Sequence, residues 1–484
     1  MVSRKDNVIK TLDWWTVGLY LILVLLGWLS ICGASYDYGL PDFFDLGTRA
    51  GKQLMWIGCS FCLVFVLLTL DARIYDTYAY LFYGIMILVL LAMVFNPTDI
   101  KGSHSWIVLG PVSLQPAEFA KFTTALALAK FMGEYTFSLK RTRHMITVVC
   151  MILLPCVLIV CQKETGSALV FLAFFLMLYR EGMTGAVLFS GVCAVIYFIV
   201  GIRFGGDVLG DELTSAGDFY VLFLIVCFSI LLVRLYCKEY GKAVSYMTLV
   251  CVGGMLLGLL FSLYVIPFDV VQLQYWICGG LLVWLLVLFL RSRIYRFLFI
   301  MVFLIVSAGF SFSLGYVFNK VLEPHQKIRI EVLLGMKDDP AGAGYNVNQS
   351  KIAIGSGGFL GKGFLNGTQT KLKYVPEQAT DFIFCTVGEE QGFLGASFVI
   401  ILFSAFIVRL VLLAERQTSA FGRVYGYSVA SIFFFHLFVN VGMVLGLTPV
   451  IGIPLPFFSY GGSSLWGFTI LLFVFLRIDA AREV

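Results

Sequence analysis

Charge is the first thing this sequence lacks. Only 13% of its 484 residues are Asp, Glu, Lys or Arg, about half of the roughly 25% usual in a soluble chain. Set against 60% hydrophobic residues, that shortfall excludes a water-soluble globular enzyme and disorder alike. Histidine is scarce as well: His104, His144, His325 and His436 show no zinc spacing. The twelve cysteines lie almost entirely inside apolar runs, so no disulfide framework emerges. Cys59 and Cys62 form a CxxC, but with apolar neighbours and no second ligand pair, which favours packing over metal. No sign of charge dominates: 34 basic residues meet 29 acidic ones, and the net charge of +5 is too small and dispersed to suggest nucleic acid. The run from Trp14 to Ala34, after the charged stretch Met1 to Asp13, is longer than a signal-peptide core and reads as a retained helix.

What the sequence has in quantity is long apolar runs. A helix needs roughly 20 such residues to cross a bilayer. Fourteen runs meet or approach that length, near 14–34, 54–70, 77–95, 116–133, 145–161, 165–179, 184–202, 219–236, 245–267, 273–290, 297–317, 391–413, 424–446 and 464–477. A transmembrane barrel would show short alternating segments instead. The expected fold class is therefore all-α, a polytopic membrane protein with about fourteen transmembrane helices. Basic residues test the count, since Lys and Arg mark cytoplasmic loops. With the N-terminus inside, the clusters at Arg73, Lys140 to Arg143, Arg180, Arg234 to Lys242, Arg291 to Arg296, Arg409 to Arg423 and Arg477 to Arg482 all fall on even-numbered exits. Both termini are then cytoplasmic. The opposite face receives a long polar segment, Asn319 to Phe384, and the shorter ones Asn96 to Leu114, Gln162 to Gly166 and Thr448 to Ser464.

Five motifs on that opposite face could carry chemistry. The glycine-rich run Ile354 to Gly363 resembles a phosphate loop, but Ser356 and Gly363 stand where a Walker loop needs glycine and Ser or Thr. What remains is either a tight bend or a backbone able to approach an anion. Asp381, in Pro376 to Phe384, sits where polar chain meets an apolar run. It reads equally as a partly desolvated general base and as a helix cap shared with Thr380. Glu118 and Lys121 follow Gln115 and Pro116 on one helix face, three residues apart. Charges there either face a cavity or pair internally. Gln162-Lys163-Glu164 is a short charged link. Pro454 to Ser464 reads as broken helix or re-entrant backbone, which needs protein or water around it at that depth. An acid, lysines, Gly-rich backbone and a broken helix around one cavity suit a lipid-linked anionic substrate.

The runs Gly344 to Gly395, Trp106 to Lys121 and Asn440 to Ser464 closely resemble the SEDS family of cell-wall proteins. Gly367-Thr368-Gln369 and the IAIGSGG run look like its rod-shape RodA branch rather than the division branch, FtsW. The resemblance implies a SEDS-type helical bundle and a peptidoglycan glycosyltransferase that polymerises lipid II during cell elongation, releasing undecaprenyl pyrophosphate. It places the catalytic aspartate on Asp381 and matches the family's intramembrane acid and lysine to Glu118 and Lys121. Glu164, Gln369 and Glu377 join them as candidate substrate-binding residues. Lys362, Lys371 and Lys373, with Lys327 and Arg329, are candidates to meet the leaving pyrophosphate. A class B penicillin-binding transpeptidase and other elongation-complex membrane proteins are the implied partners. A divalent cation (Mg or Mn) would suit the pyrophosphate, although no ligand cluster marks one.

Three departures stand out. Ser105 replaces the family's usual arginine. Lys163-Glu164 replaces Pro-Asp after Gln162. Finally, the family has ten spans where this chain has fourteen. The expected organisation is N-terminal helices over 1–202, an inserted four over 203–296, and a C-terminal part over 297–484 carrying the catalytic loop at about 319–384. A lipid II flippase without bond chemistry is the alternative reading, and a recruiting scaffold a third. Inverted repeats expected of a transporter are not apparent, and a scaffold would not need Asp381 in its full motif.

Overall fold

A computed structural model describes residues 8–36, 43–95, 105–109, 112–209, 213–322, 324–337 and 344–482. His104 and parts of the expected outer segments at 96–114 and 319–384 lie outside them. In chain order the main elements are α1 (Trp14–Ser35), α2 (Arg49–Thr69), α3 (Ala79–Val94), the hairpin β1 (Ile107–Leu109) and β2 (Val112–Leu114), α4 (Pro116–Met132), α5 (Thr142–Cys161) and α6 (Thr165–Arg180). There follow α7 (Gly185–Arg203), the two-residue strands β3 (Val208–Leu209) and β4 (Thr214–Ser215), α8 (Ala216–Tyr236), α9 (Lys238–Tyr264), α10 (Val270–Ser292) and α11 (Tyr295–Lys320). The chain ends with α12 (Pro324–Leu333), α13 (Tyr345–Gly357), α14 (Thr368–Lys371), α15 (Ile383–Glu415), α16 (Ala420–Leu445) and α17 (Gly462–Ala481).

Each of the fourteen apolar runs falls on one of these helices, and 11 of the helices are long and apolar enough to cross a membrane. The chain is a multi-pass helical membrane protein. In hydrocarbon a backbone must bond within itself, and only helices do so within a single segment. The sequence places helix starts well: Pro116 opens α4, and Asp13 and Thr48 cap α1 and α2 by accepting from the amides of Thr16 and Gly51. The segment expected to be one long loop is partly helical, holding α12, α13 and α14.

The chain forms two compact units, residues 1–183 with 344–484, and residues 184–343. In the larger, α15 packs on α16, α13 and α1, while α4 packs on α3 and α16. In the smaller, α8 packs against α7, α10 and α11. Its core includes Val221, Leu222, Ile225 and Val233 with Leu285, Phe297, Ile300 and Leu304. This unit is wider than the stretch 203–296 set apart from the sequence, because α7 and α11 cluster on α8.

Candidate functional site

Asp381 lies half-buried two residues before α15. Phe382 occupies the N-cap position and no side chain caps the helix there, so the capping reading of Asp381 and Thr380 fails. Its carboxylate lies over the backbone of Gly452: a Cβ added there would stand 3.3 Å from Asp381 Oδ2, and Gly452 has φ +75°. A side chain at 452 would thus be strained and would crowd the acid. Three amides, of Thr380, Asp381 and Phe382, converge on the carbonyl of Glu377. Glu377 itself has φ 50° and Lys373 φ 53°. Such strain in non-glycine residues concentrates at functional sites. Lys163 and Phe457, on the two neighbouring segments, share it.

The chain between α16 and α17 is irregular, yet Ile453, Leu455, Phe457, Phe458 and Ser459 are buried. Protein surrounds this broken segment, as the sequence reading requires. Its backbone groups find partners one by one. Asn440 Nδ2 donates to the carbonyls of Ile453 (2.7 Å) and Asp381 (2.8 Å). Tyr460 N donates to Ala379 O, and Leu455 N to Ser459 Oγ. His436 Nδ1 lies 3.0 Å from Pro454 O, and its Nε2 lies 3.0 Å from Lys121 Nζ. Lys121 donates to Glu118 Oε2 at 2.8 Å and stands 4.8 Å from the Phe468 ring centre. The network assigns the tautomer: an ammonium can only donate, so Nε2 accepts and Nδ1–H meets the carbonyl.

Glu118 and Lys121 are only 2% and 1% exposed. The structure therefore places them as an internal pair, one of the two readings left open, rather than lining open space. Sequence reasoning missed His436 and Asn440. The available signal was two polar residues four apart in the apolar run 424–446, hence on one helix face.

The glycine-rich run also resolves. Its first half closes α13. The remainder splices onto α15: the amides of Lys362 and Gly363 donate to the carbonyls of Glu389 and Glu390, and those of Phe393 and Leu394 to Gly358 and Phe359. Gly361 (φ +80°) and Gly392 (φ +65°) meet backbone to backbone, and a Cβ on Gly392 would stand 2.2 Å from Gly361 N. These glycines serve close chain packing, and the amides of Lys362 and Gly363 are occupied by carbonyls. Of the two readings left open for the run, this packing matches the tight bend. Gly392 also kinks α15.

The remaining candidates divide. Lys362 Nζ bonds Glu389, Ser356 and Thr368. Gln369 meets Glu389 through its backbone amide. Lys371 stands 5.2 Å from the Tyr36 ring centre, and Lys373 and Glu377 are exposed. Glu164 accepts from Ser105 Oγ (2.6 Å) and Gln115 Nε2 (2.8 Å), so the two sequence departures at 105 and 164 touch. Its link reaches the broken segment: a Cβ on Gly166 would lie 2.4 Å from Ile451 O. Lys327 belongs to the smaller unit, with Asn319 and Glu331 as partners. Among the described residues no three His, Cys, Asp or Glu side chains gather as a metal site.

Comparison with known proteins follows the same lines. The family described as cell cycle protein, of FtsW, RodA and SpoVE, matches residues 13–208 and 272–484. The peptidoglycan glycosyltransferase RodA of Treponema pallidum is 30% identical over 483 residues, covering 96% of this chain and 98% of that protein. The peptidoglycan glycosyltransferase MrdB of Escherichia coli is 42% identical over 181 residues, 37% of this chain and 48% of that one. Among solved structures, a chain from a peptidoglycan synthase complex that coordinates polymerization and crosslinking matches with a TM-score of 0.58 at 22% identity, over 97% of this chain and 98% of that one. The rod shape determining protein RodA of Thermus thermophilus matches with a TM-score of 0.52 at 21% identity, over 98% of each chain. These two likenesses establish the fold. The family match leaves out 209–271, a shorter stretch than the expected insertion, which holds α8 and α9. Matched on both sides of that gap, and aligned nearly end to end with a relative, the chain belongs to the SEDS family of FtsW, RodA and SpoVE.

Proposed function

We infer that this protein is a peptidoglycan glycosyltransferase that polymerises lipid II at the outer face of the cytoplasmic membrane during elongation and shape maintenance. The observation that carries the reading is Asp381, half-buried between a strained loop and a broken, protein-enclosed segment, in a chain whose relatives bear that activity in their names. Asp381 takes the proton from the 4-hydroxyl of one GlcNAc. That oxygen bonds to the anomeric carbon of a MurNAc, whose bond to the pyrophosphate oxygen breaks. Undecaprenyl pyrophosphate leaves with the electron pair. Lys371 and Lys373 are the cations this reading assigns to the departing charge. A divalent cation would come with the pyrophosphate rather than from a protein ligand set.

The basic ends of the larger unit support cytoplasmic termini. Arg409 pairs with Asp13, Arg180 with Glu415, Arg423 with Glu181, and Arg416 and Arg482 with Asp479. Residues expected on one side thus meet one another. The partner in this reading is a class B penicillin-binding transpeptidase, which crosslinks what this chain polymerises, together with other elongation-complex membrane proteins.

Purified protein with its transpeptidase and labelled lipid II should give glycan ladders on a gel. A flippase would move lipid II between leaflets and leave it unpolymerised, and that outcome would refute the reading. The unmatched helices α8 and α9 are proposed to be peripheral to it. Removing 209–271 takes out two spans and keeps the sidedness. A folded, inserted variant of that kind should still polymerise, and its complete inactivity would show the helices to be required.

A further inference from the structure

Glu389 is fully buried and the reaction outlined above gives it no task. Its Oε1 accepts from Lys362 Nζ (2.8 Å) and from the Gln369 amide (2.9 Å). Its Oε2 accepts from the Thr370 amide (2.8 Å) and from the Thr370 hydroxyl. We propose that Glu389 is a positioning residue that clips the segment 356–370 to the start of α15, and that Lys362 is its counter-ion rather than a ligand of the pyrophosphate.

Donor capacity decides the role of Lys362. An ammonium has three N–H donors. Lys362 directs them at Glu389 Oε1, Ser356 Oγ (2.8 Å) and Thr368 Oγ1 (2.7 Å), and none remains for a phosphate oxygen. The backbone is fixed as well, since the amides of Lys362 and Gly363 bond the carbonyls of Glu389 and its neighbour Glu390. Glu390 faces another way: its Oε1 accepts from Leu365 N, and it lies against Gly33 of α1. Glu389 therefore joins the loop that leads into Lys371 and Lys373 to the short helical stretch that begins just after Asp381. A shift of this joint would move the cations relative to the base, and a displacement on the order of 1 Å can cost about a hundredfold in rate.

The inference rests on the polymerase reading, and a double-mutant cycle separates the two. The full-length protein with its transpeptidase is assayed for glycan synthesis at saturating and limiting lipid II, with unfolding temperatures recorded. The variants are Lys362→Met, Glu389→Gln and the pair together. If the parent makes no glycan, or Asp381→Asn makes as much as the parent, the polymerase reading itself falls. Otherwise each single variant should lose about a hundredfold at saturating lipid II: Lys362→Met leaves the buried Glu389 carboxylate without its counter-ion, and Glu389→Gln removes one of the two carboxylate oxygens that Lys362, 26% exposed, and Thr370 bond. The double variant buries no lone charge, and should return to within about tenfold of the parent.

A direct phosphate contact by Lys362 predicts no such recovery. A double variant as inactive as Lys362→Met, folded or not, overturns the proposal, as do single variants with parental rates. A loss confined to the unfolded fraction, with normal turnover in the folded protein, marks Glu389 as a stability element only and overturns it too. Where the single variants fail to fold, the rate of the double variant against the parent decides alone.

Discussion

The two ends of the larger unit solve the same problem with different chemistry. At one end, buried Asp479 accepts from Arg416, Gln417 and Arg482, Asp13 accepts from Arg409, and Glu181 from Arg423. Those arginines are roughly one-third exposed or less. They pin regular helix ends by guanidinium forks whose geometry matches a carboxylate. At the other end the main-chain partners are the carbonyls of irregular backbone, held by the single side chains His436 and Asn440. One end fixes helices to each other; the other fixes a particular bend beside one acid. Stability is distributed over many contacts at the first end, and position depends on a few at the second.

The largest expected effect sits at the second end. Asp381→Asn keeps the shape of the side chain and removes the proton acceptor. Glycan output should fall by about 10²–10⁴ with the unfolding temperature unchanged. Parental output from a folded Asp381→Asn protein would end the base assignment. Next comes the buried pair. Lys121→Met strands the Glu118 carboxylate and removes the donor to His436, and breaking such a pair costs about 3–5 kcal/mol. A strongly lowered unfolding temperature in detergent is expected. An unchanged temperature with weakened lipid II affinity would instead restore Lys121 as a substrate ligand. Asn440→Ala leaves the carbonyls of Asp381 and Ile453 without their shared donor, worth about 1–3 kcal/mol. It should depress turnover more than its loss of stability explains, whereas Arg423→Ala at the opposite end should leave turnover per folded molecule unchanged.

The smallest effect is a pH dependence at the first end. Burial alone would raise the pKa of Asp13, but hydrogen bonds from Arg409 and Thr16 outweigh it and hold the carboxyl below its ordinary 3.8. A depressed folded value means the contribution is fully present above the unfolded value and fades as pH falls through the folded one. For a partly exposed pair it amounts to no more than about 1 kcal/mol. Unfolding temperatures of the parent and Arg409→Ala should therefore differ slightly at pH 7 and converge in acid below 3.8. A gap that widens in acid would contradict this sign.

Helices were legible in the sequence because a membrane span writes itself as uninterrupted apolar residues. So were the opening of α4 at Pro116 and the placing of Asp381 at a polar–apolar border. The partners of polar residues were less legible. His436 and Asn440 bond carbonyls of a segment 18 and 13 residues further on, and backbone carbonyls leave no mark in residue type. Lys362 and Glu389 lie 27 residues apart, so nothing local pairs them. The glycines beside Lys362 resemble an anion loop for the same reason they pack on α15: both need bare backbone. The pairing of Ser105 with Glu164 across 59 residues appears in sequence only as two separate departures from a pattern.

The bend at Gly392 bears on how the protein answers its membrane. A straight helix over Ile383–Glu415, 33 residues, would measure about 50 Å at 1.5 Å per residue, far more than the roughly 30 Å of hydrocarbon it meets. Broken at Gly392, the stretch 393–415 is about 35 Å long, a length that a modest tilt fits to the bilayer. The first turns belong instead to the scaffold around Asp381. The bend itself is a fixed joint, since the amides of Phe393 and Leu394 are bonded to the carbonyls of Gly358 and Phe359; one continuous element thus supplies a membrane-length arm and, before it, turns that stay with the loop around Asp381.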